Sequence, residues 1–203
     1  MKTSRRALIL IDLQYDFMPG GALAVARGDE VVAVANRLMR SHDLVVATQD
    51  WHPADHKSFA SQHEGKEVGE VIDLDGLPQV MWPDHCVQGT RGARIVEELD
   101  TRQIAAIFRK GMDPEIDSYS GFYDNGHRRS TGMAGHLREL GVETLDVMGL
   151  ATDYCVKYTV LDALEEGFAV NLVLEGCRGV GLGPTDIEQA IEQMRDAGAS
   201  IVK

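Results

Sequence analysis

Cysteine is scarce in this chain: Cys86, Cys155 and Cys177 are its three in 203 residues. So sparse and odd a count excludes a disulfide framework and implies free thiols, as expected of a cytoplasmic protein. Positive charge is short as well. Twenty Lys and Arg face 32 Asp and Glu, for a formal net charge of −12. Pairs such as Arg5-Arg6 and Arg128-Arg129 are too short to form the positive face that nucleic acid requires. The acid excess reads as a solvated surface. Long apolar runs are missing too. After Met1-Lys2-Thr3-Ser4-Arg5-Arg6, the stretch Ala7–Ile11 stops at Asp12. That is too short for a signal-peptide core or a membrane span.

What is present is a regular alternation. Ala7–Ile11, Leu44–Thr48, Ile104–Phe108, Thr144–Gly149, Ala169–Leu174 and Ser200–Val202 are short apolar runs of strand length. Helical periodicity covers Asp29–Arg40, with Asp29 as a candidate cap, then Met133–Leu140, Thr152–Glu166 and Pro184–Ala197. A short helix over Ile95–Leu99 and a weak strand over Val68–Ile72, before a turn at Asp75-Gly76, are also predicted. Strands alternating with helices indicate the α/β class: one domain over 1–203, with about six mostly parallel strands and helices on both faces. The polar stretch Asp50–Gly69 has no period, and long irregular segments in compact domains are usually functional.

In such a sheet, sites form beyond the carboxyl ends of the strands. Asp12, Asp50, Lys110 and the segment Ala151–Cys155 all fall there. Cys155 stands where a strand end passes into a helix start, a place that favours a thiolate and offers free amides to an oxyanion. A thiol nucleophile needs a base and a neighbouring cation, which Asp12 and Lys110 supply. Cys86 and Cys177 read as packed side chains. Asp50 and His52 flank Trp51, so both side chains point to one side of an extended segment. With a third ligand from His85, or from the competing His56 or His63, they suit Zn²⁺, Fe²⁺ or Mn²⁺. His42 reads as a cation at a helix end. A metal-binding or redox-sensing module would use the same cysteines and histidines, but would leave the cysteine–aspartate–lysine set unexplained.

Several segments together resemble the nicotinamidases of the isochorismatase-like cysteine hydrolases. They are Ile11–Phe17 with Gly20–Leu23, Asp50–Pro53, Trp82–Val87, Lys110-Gly111, Asp117–Ser120 and Gly149–Val156. The resemblance runs in order through nearly the whole chain. It implies the isochorismatase-like α/β/α fold, with Cys155 as nucleophile, Asp12 as proton carrier and Lys110 as third member. It also implies one divalent metal on Asp50, His52 and His85 that grips a ring nitrogen, and leaves His56 open as a further ligand. Ala151 and Cys155 would form the oxyanion hole, next to a cis Leu150–Ala151 peptide. Phe17 and Trp82 would flank a flat ring, with Tyr123 as another candidate wall. The implied substrate is nicotinamide, with pyrazinamide accepted. The implied setting is pyridine nucleotide salvage, in a homodimer without membrane or nucleic-acid partners.

Overall fold

The five residues from Ala7 to Ile11 carry no polar side chain, and each is fully buried. They form most of β1 (Arg5–Ile11), which lies at the middle of the sheet and must be apolar on both faces. The structure, a computed structural model, describes residues 5–202. Residues 1–4, which bear on the reading of the amino terminus, lie outside that range, as does Lys203.

β1 pairs in parallel with β2 (Val45–Asp50) on one side and β6 (Val142–Leu150) on the other. β5 (Ala106–Lys110) extends the β2 side, and β7 (Ala169–Arg178) and β8 (Ser200–Val202) extend the β6 side. The six strands therefore run in the order β5-β2-β1-β6-β7-β8, all parallel. The chain builds outward from β1 through β2 to β5, then crosses to β6 on β1's other side. The crevice between the carboxyl ends of β1 and β6 is thus the topological switch point, where open α/β sheets bind their ligands. The helices α1 (Glu30–Met39), α2 (Met133–Glu139), α3 (Lys157–Glu165) and α4 (Asp186–Asp196) flank this sheet.

The expected elements are present, with local differences. β5 runs two residues further than its apolar core, so Lys110 ends the strand and lies opposite Asp50 of β2. The weak strand is β3 (Val71–Leu74), which turns at Asp75-Gly76 into β4 (Leu77–Val80) as a separate antiparallel hairpin. Ile95–Leu99 is not helical. Ile95 bridges Gln14 and the Val96 amide donates to the Leu13 carbonyl, so contacts with another segment take the groups a helix would use. Asp29 does not cap α1: its own backbone is helical and its side chain makes no cap hydrogen bond. α4 begins after Thr185 rather than at Pro184. Among the described residues, no helix is long and apolar enough to cross a membrane.

At the amino ends of the strands, Asp146 of β6 is a buried carboxylate among apolar neighbours. Its Oδ2 accepts from His42 Nε2 at 2.8 Å and pairs with Arg6 at 2.5 Å, while Oδ1 accepts from Asn171 at 2.8 Å. His42 Nδ1 lies 2.8 Å from the Leu38 carbonyl near the end of α1. Both ring nitrogens face acceptors, an arrangement that favours the imidazolium. The Asp146 hydrogen bond raises its pKa against the opposing effect of burial.

His42→Ala should cost ~1–2 kcal/mol of unfolding free energy at pH 6. A raised imidazole pKa makes this contribution complete below about pH 6.5 and progressively lost as pH rises through the folded value. Asp146 is lowered, because its partners outweigh burial, so its own share fades only as pH falls below about 4. Urea melts of the two proteins between pH 6 and 9 should show the gap narrowing; a gap that widens would contradict the assignment.

Candidate active site

The switch-point crevice is where the chemistry-bearing side chains meet. Asp12 leaves β1 with a positive φ of 51°, turning its fully buried carboxylate into the crevice. Thr48 of β2 fixes it: the Thr48 hydroxyl donates to Asp12 Oδ1 at 2.6 Å and accepts from the Asp12 amide at 3.2 Å. Lys110 reaches in from β5. Its ammonium lies 3.0 Å from Asp12 Oδ2, 3.1 Å from Asp50 Oδ1, 2.9 Å from the Ser118 carbonyl and 3.3 Å from Cys155 Sγ. Burial alone would lower the lysine pKa. The Asp12 and Asp50 carboxylates reverse that and hold it well above the ordinary value. Lys110 is therefore a permanent cation.

Cys155 sits in a π-helical turn, Thr152–Val156, between β6 and α3. The Tyr154 and Val156 amides both donate to the Ala151 carbonyl, and the Leu150–Ala151 peptide is cis. The position predicted from sequence would favour a thiolate, but burial pushes the Cys155 thiol well up and only Lys110 pulls it down. The resting side chain is a neutral thiol. Asp12 is raised as well, by burial first, against the downward pull of Lys110. A carboxylate with heightened proton affinity beside a neutral thiol is the pairing that general-base activation needs.

Asp50, at the end of β2, is clamped by Gln14, whose side chain accepts from the Asp50 amide and donates to the Asp50 carbonyl, both at 2.8 Å. Its Oδ2 lies 3.1 Å from His52 Nε2 and 3.4 Å from His85 Nε2. His52 Nδ1 faces the Gly111 carbonyl at 2.9 Å, and His85 Nδ1 the Pro83 carbonyl at 2.8 Å. Those carbonyls assign the ring protons to Nδ1 and leave both Nε2 atoms facing the same carboxylate. His52 Nε2 is buried with no hydrogen-bond partner. Burial opposes protonation of His52, but Asp50 outweighs it and raises the pKa. A cation among the three residues would take the place of that extra proton, and two nitrogens with one carboxylate suit a divalent transition metal. The loop carrying His85 is tied to the loop after β1 by Asp16, which accepts from the Cys86 amide at 2.7 Å.

A narrow cavity of about 20 Å³ joins these groups. Cys155, Ala151, Asp50 and His85 line it, with Phe17, Trp82, Tyr119 and Tyr154 as aromatic walls. Trp82 Nε1 donates to the Tyr119 hydroxyl at 3.2 Å, and the Tyr154 ring meets Trp82 edge-on at 4.8 Å. Aromatic walls beside a thiol suit a flat ring with a substituent reaching the sulfur, and the walls must part to admit one because the slot as it stands holds little more than a water molecule. No cysteine lines the wider groove along Arg6, His42 and Asp146, whose charges already pair.

A family model described as the isochorismatase domain matches residues 6–203. The chain belongs to the isochorismatase family. Among its relatives in that family is the nicotinamidase of Escherichia coli, 54% identical over 97% of this chain and 93% of the relative. A solved structure of an Acinetobacter baumanii nicotinamidase/pyrazinamidase has a TM-score of 0.96 at 41% identity, covering 100% of this chain and 98% of the other. A Pyrococcus horikoshii pyrazinamidase, solved in complex with zinc, has a TM-score of 0.80 at 39% identity, covering 98% and 99%.

Within this family fold, the structure brings together Asp12, Lys110, Cys155, Asp50, His52, His85, Phe17, Trp82 and Ala151. Tyr123 is not among the cavity's lining residues. Its hydroxyl donates to Glu166 and its ring stacks on His127, which turn it away from the slot. Tyr119 and Tyr154 supply the tyrosine walls instead. Neither was singled out from the sequence, because only the path of residues 117–119 past Lys110 and the π turn bring them inward. His56 packs against His52, ring centroids 4.3 Å apart. Its Nδ1 lies 2.7 Å from the Ser58 hydroxyl and accepts from the Ser58 amide at 3.2 Å, and burial lowers its pKa to about 4. His56 Nε2, like that of His52, is buried with no hydrogen-bond partner, and His52, His56 and Asp117 are close enough to share a cation, so His56 remains a candidate further ligand. Cys86 and Cys177 are packed and free, as expected.

Gly111 has φ +65°, and a Cβ there would lie 2.4 Å from His52 Cε1. Gly111→Ala should displace the His52 ring and weaken divalent-metal binding by about 10–100-fold. Metal content after dialysis against graded chelator reports this. Unchanged retention would show that the ring is not held from this side.

Proposed function

We propose that this chain is an amidohydrolase that converts nicotinamide to nicotinate and ammonia through a thioester on Cys155, and that it also deamidates pyrazinamide. The observation that carries the reading is the Lys110 ammonium within 3.3 Å of Asp12, Asp50 and Cys155, at the base of an aromatic slot beside the Asp50/His52/His85 set. The metal-ligating set favours a pyridine amide over the ureido and carbamoyl compounds taken by other amidases of the superfamily. A divalent cation on Asp50, His52 and His85, with zinc, iron and manganese as candidates, would supply a Lewis-acidic anchor for the ring nitrogen.

The protein's own groups carry the reaction. Asp12 takes the proton from Cys155 Sγ, and the thiolate attacks the amide carbon. The amides of Ala151 and Cys155 hold the oxyanion, which is the electrostatic part of the catalysis. Asp12 returns its proton to the amide nitrogen, the C–N bond breaks, and ammonia leaves. Asp12 then takes a proton from water, whose oxygen attacks the thioester carbonyl. The C–S bond breaks and the proton returns to Cys155. Lys110 stays charged throughout and stabilises whichever of Asp12 and Cys155 carries the negative charge. Cytoplasmic NAD salvage is the setting that fits this reaction and three free thiols.

Ammonia release from nicotinamide, pyrazinamide and an aliphatic amide should show strong activity on the first two only. Cys155→Ala should lower the rate by about 10⁴-fold or more, and a variant keeping most of its activity would refute the thioester route. The pH profile tests the base. Asp12 must be ionised and its pKa is raised, so the acid limb of kcat/KM should lie above the ordinary carboxylate value of about 4. The Thr48 hydrogen bond lowers Asp12. Thr48→Val should therefore move the acid limb to still higher pH; a shift toward lower pH would remove Asp12 from this role.

A further inference from the structure

Asp153 plays no part in the steps above, yet it is almost fully buried two residues before the nucleophile. Its carboxylate accepts from two successive backbone amides, Val180 at 2.9 Å on Oδ1 and Gly181 at 2.8 Å on Oδ2. Those amides belong to residues 179–185, which join β7 to α4. The segment is rich in glycine and has little intrinsic rigidity. Gly179 makes the close approach feasible: a Cβ there would lie 2.5 Å from Ile187 and 3.0 Å from Asp153 Oδ1.

Val180 lines the cavity beside Cys155 and Tyr154. Among the lining residues only Leu23, Tyr154 and Val180 keep partial exposure, while the others are buried. The mouth of the cavity therefore lies between these three. Leu23 comes from the loop after β1, where its amide donates to the Asp16 carbonyl at 3.0 Å. Tyr154 is part of the π turn. Val180 is the one whose backbone is held by a side chain of that same turn.

We infer that Asp153 is a positioning residue that sets the mouth of the cavity, and that Val180, held by it, limits the size of ring substituent the site admits. One π turn thus carries the thiol and, two residues earlier, the clasp that holds Val180. Fixing the lip in advance removes an ordering cost from binding and keeps the wall close to a flat ring. The inference rests on the proposed nicotinamide hydrolysis for its choice of substrates.

The test compares kcat/KM for 5-methylnicotinamide with that for nicotinamide. Val180→Ala should raise that ratio about tenfold, the discrimination that one methyl group typically supports in an apolar pocket. Asp153→Ala should move the ratio the same way and raise KM for nicotinamide more than it lowers kcat. Asp153→Asn, which keeps one acceptor oxygen, should fall between it and the parent protein. Calorimetric titration with nicotinate reads the same loosening without turnover, and Asp153→Ala should bind it more weakly. A ratio unmoved in Val180→Ala overturns the inference. So does an Asp153→Ala protein that is merely less stable, with ratio, KM and nicotinate binding intact. If Asp153→Ala does not fold, Asp153→Asn and Val180→Ala decide. A parent protein that releases no ammonia from nicotinamide would sink the proposed reaction instead, leaving the nicotinate titration to judge the clasp.

Discussion

A lysine ammonium without solvent exposure is costly, several kcal/mol unless the protein replaces its hydration. Lys110 is such an ammonium, and the crevice is organised around compensating it. Two carboxylates, a backbone carbonyl and a thiol surround Nζ, and they come from four parts of the chain. Removing any one leaves a buried charge short of a partner. The same compensation ties the ends of β1, β2 and β5 to the π turn and the segment around Ser118. Structural integrity and chemical readiness are therefore one interaction. Because Lys110 holds its proton so firmly, proton movement falls to Asp12 and Cys155, both pushed upward by burial.

Around that centre, the sheet supplies rigidity and the irregular segments supply recognition. The β2–β5 ladder fixes Asp50 and Lys110, and Thr48 of β2 fixes Asp12 just past the end of β1. His52, Trp82 and His85 lie outside the main sheet and need other supports. Buried polar side chains provide them. Gln14 clamps the Asp50 backbone and donates to the Ala93 carbonyl at 3.0 Å, and Asp16 ties the His85 loop to the loop after β1. Asp153 does the same for the segment carrying Val180. Each acts locally where no strand or helix reaches, because a buried backbone amide needs an acceptor.

Much of this was legible in the sequence. Apolar runs of strand length alternating with amphipathic helices gave the parallel sheet, and the strand-end rule placed Asp12, Asp50, Lys110 and Cys155 on one edge. The failures have physical causes. Ile95–Leu99 has apolar spacing compatible with a helix, but its backbone partners belong to the loop after β1, far away in sequence. Asp29 has the chemistry of a cap but already sits in helical geometry. Tyr123 has the residue type of a wall but faces Glu166 and His127, and residue type alone does not reveal which way a ring faces.

The sequence by itself determined the fold class, the identity of the reactive groups and their order along the edge of the sheet, since these follow from hydrophobic periodicity and residue chemistry. Tertiary structure decided protonation and shape. A helix-start cysteine reads as a thiolate, yet full burial makes it a neutral thiol and makes its base indispensable. His56 reads as a candidate ligand, and only the folded loop brings its ring to 4.3 Å from that of His52. The walls of the slot and the grip of Asp153 on Val180 arise from contacts between distant segments, whose strength depends on burial and on angles that no local pattern encodes.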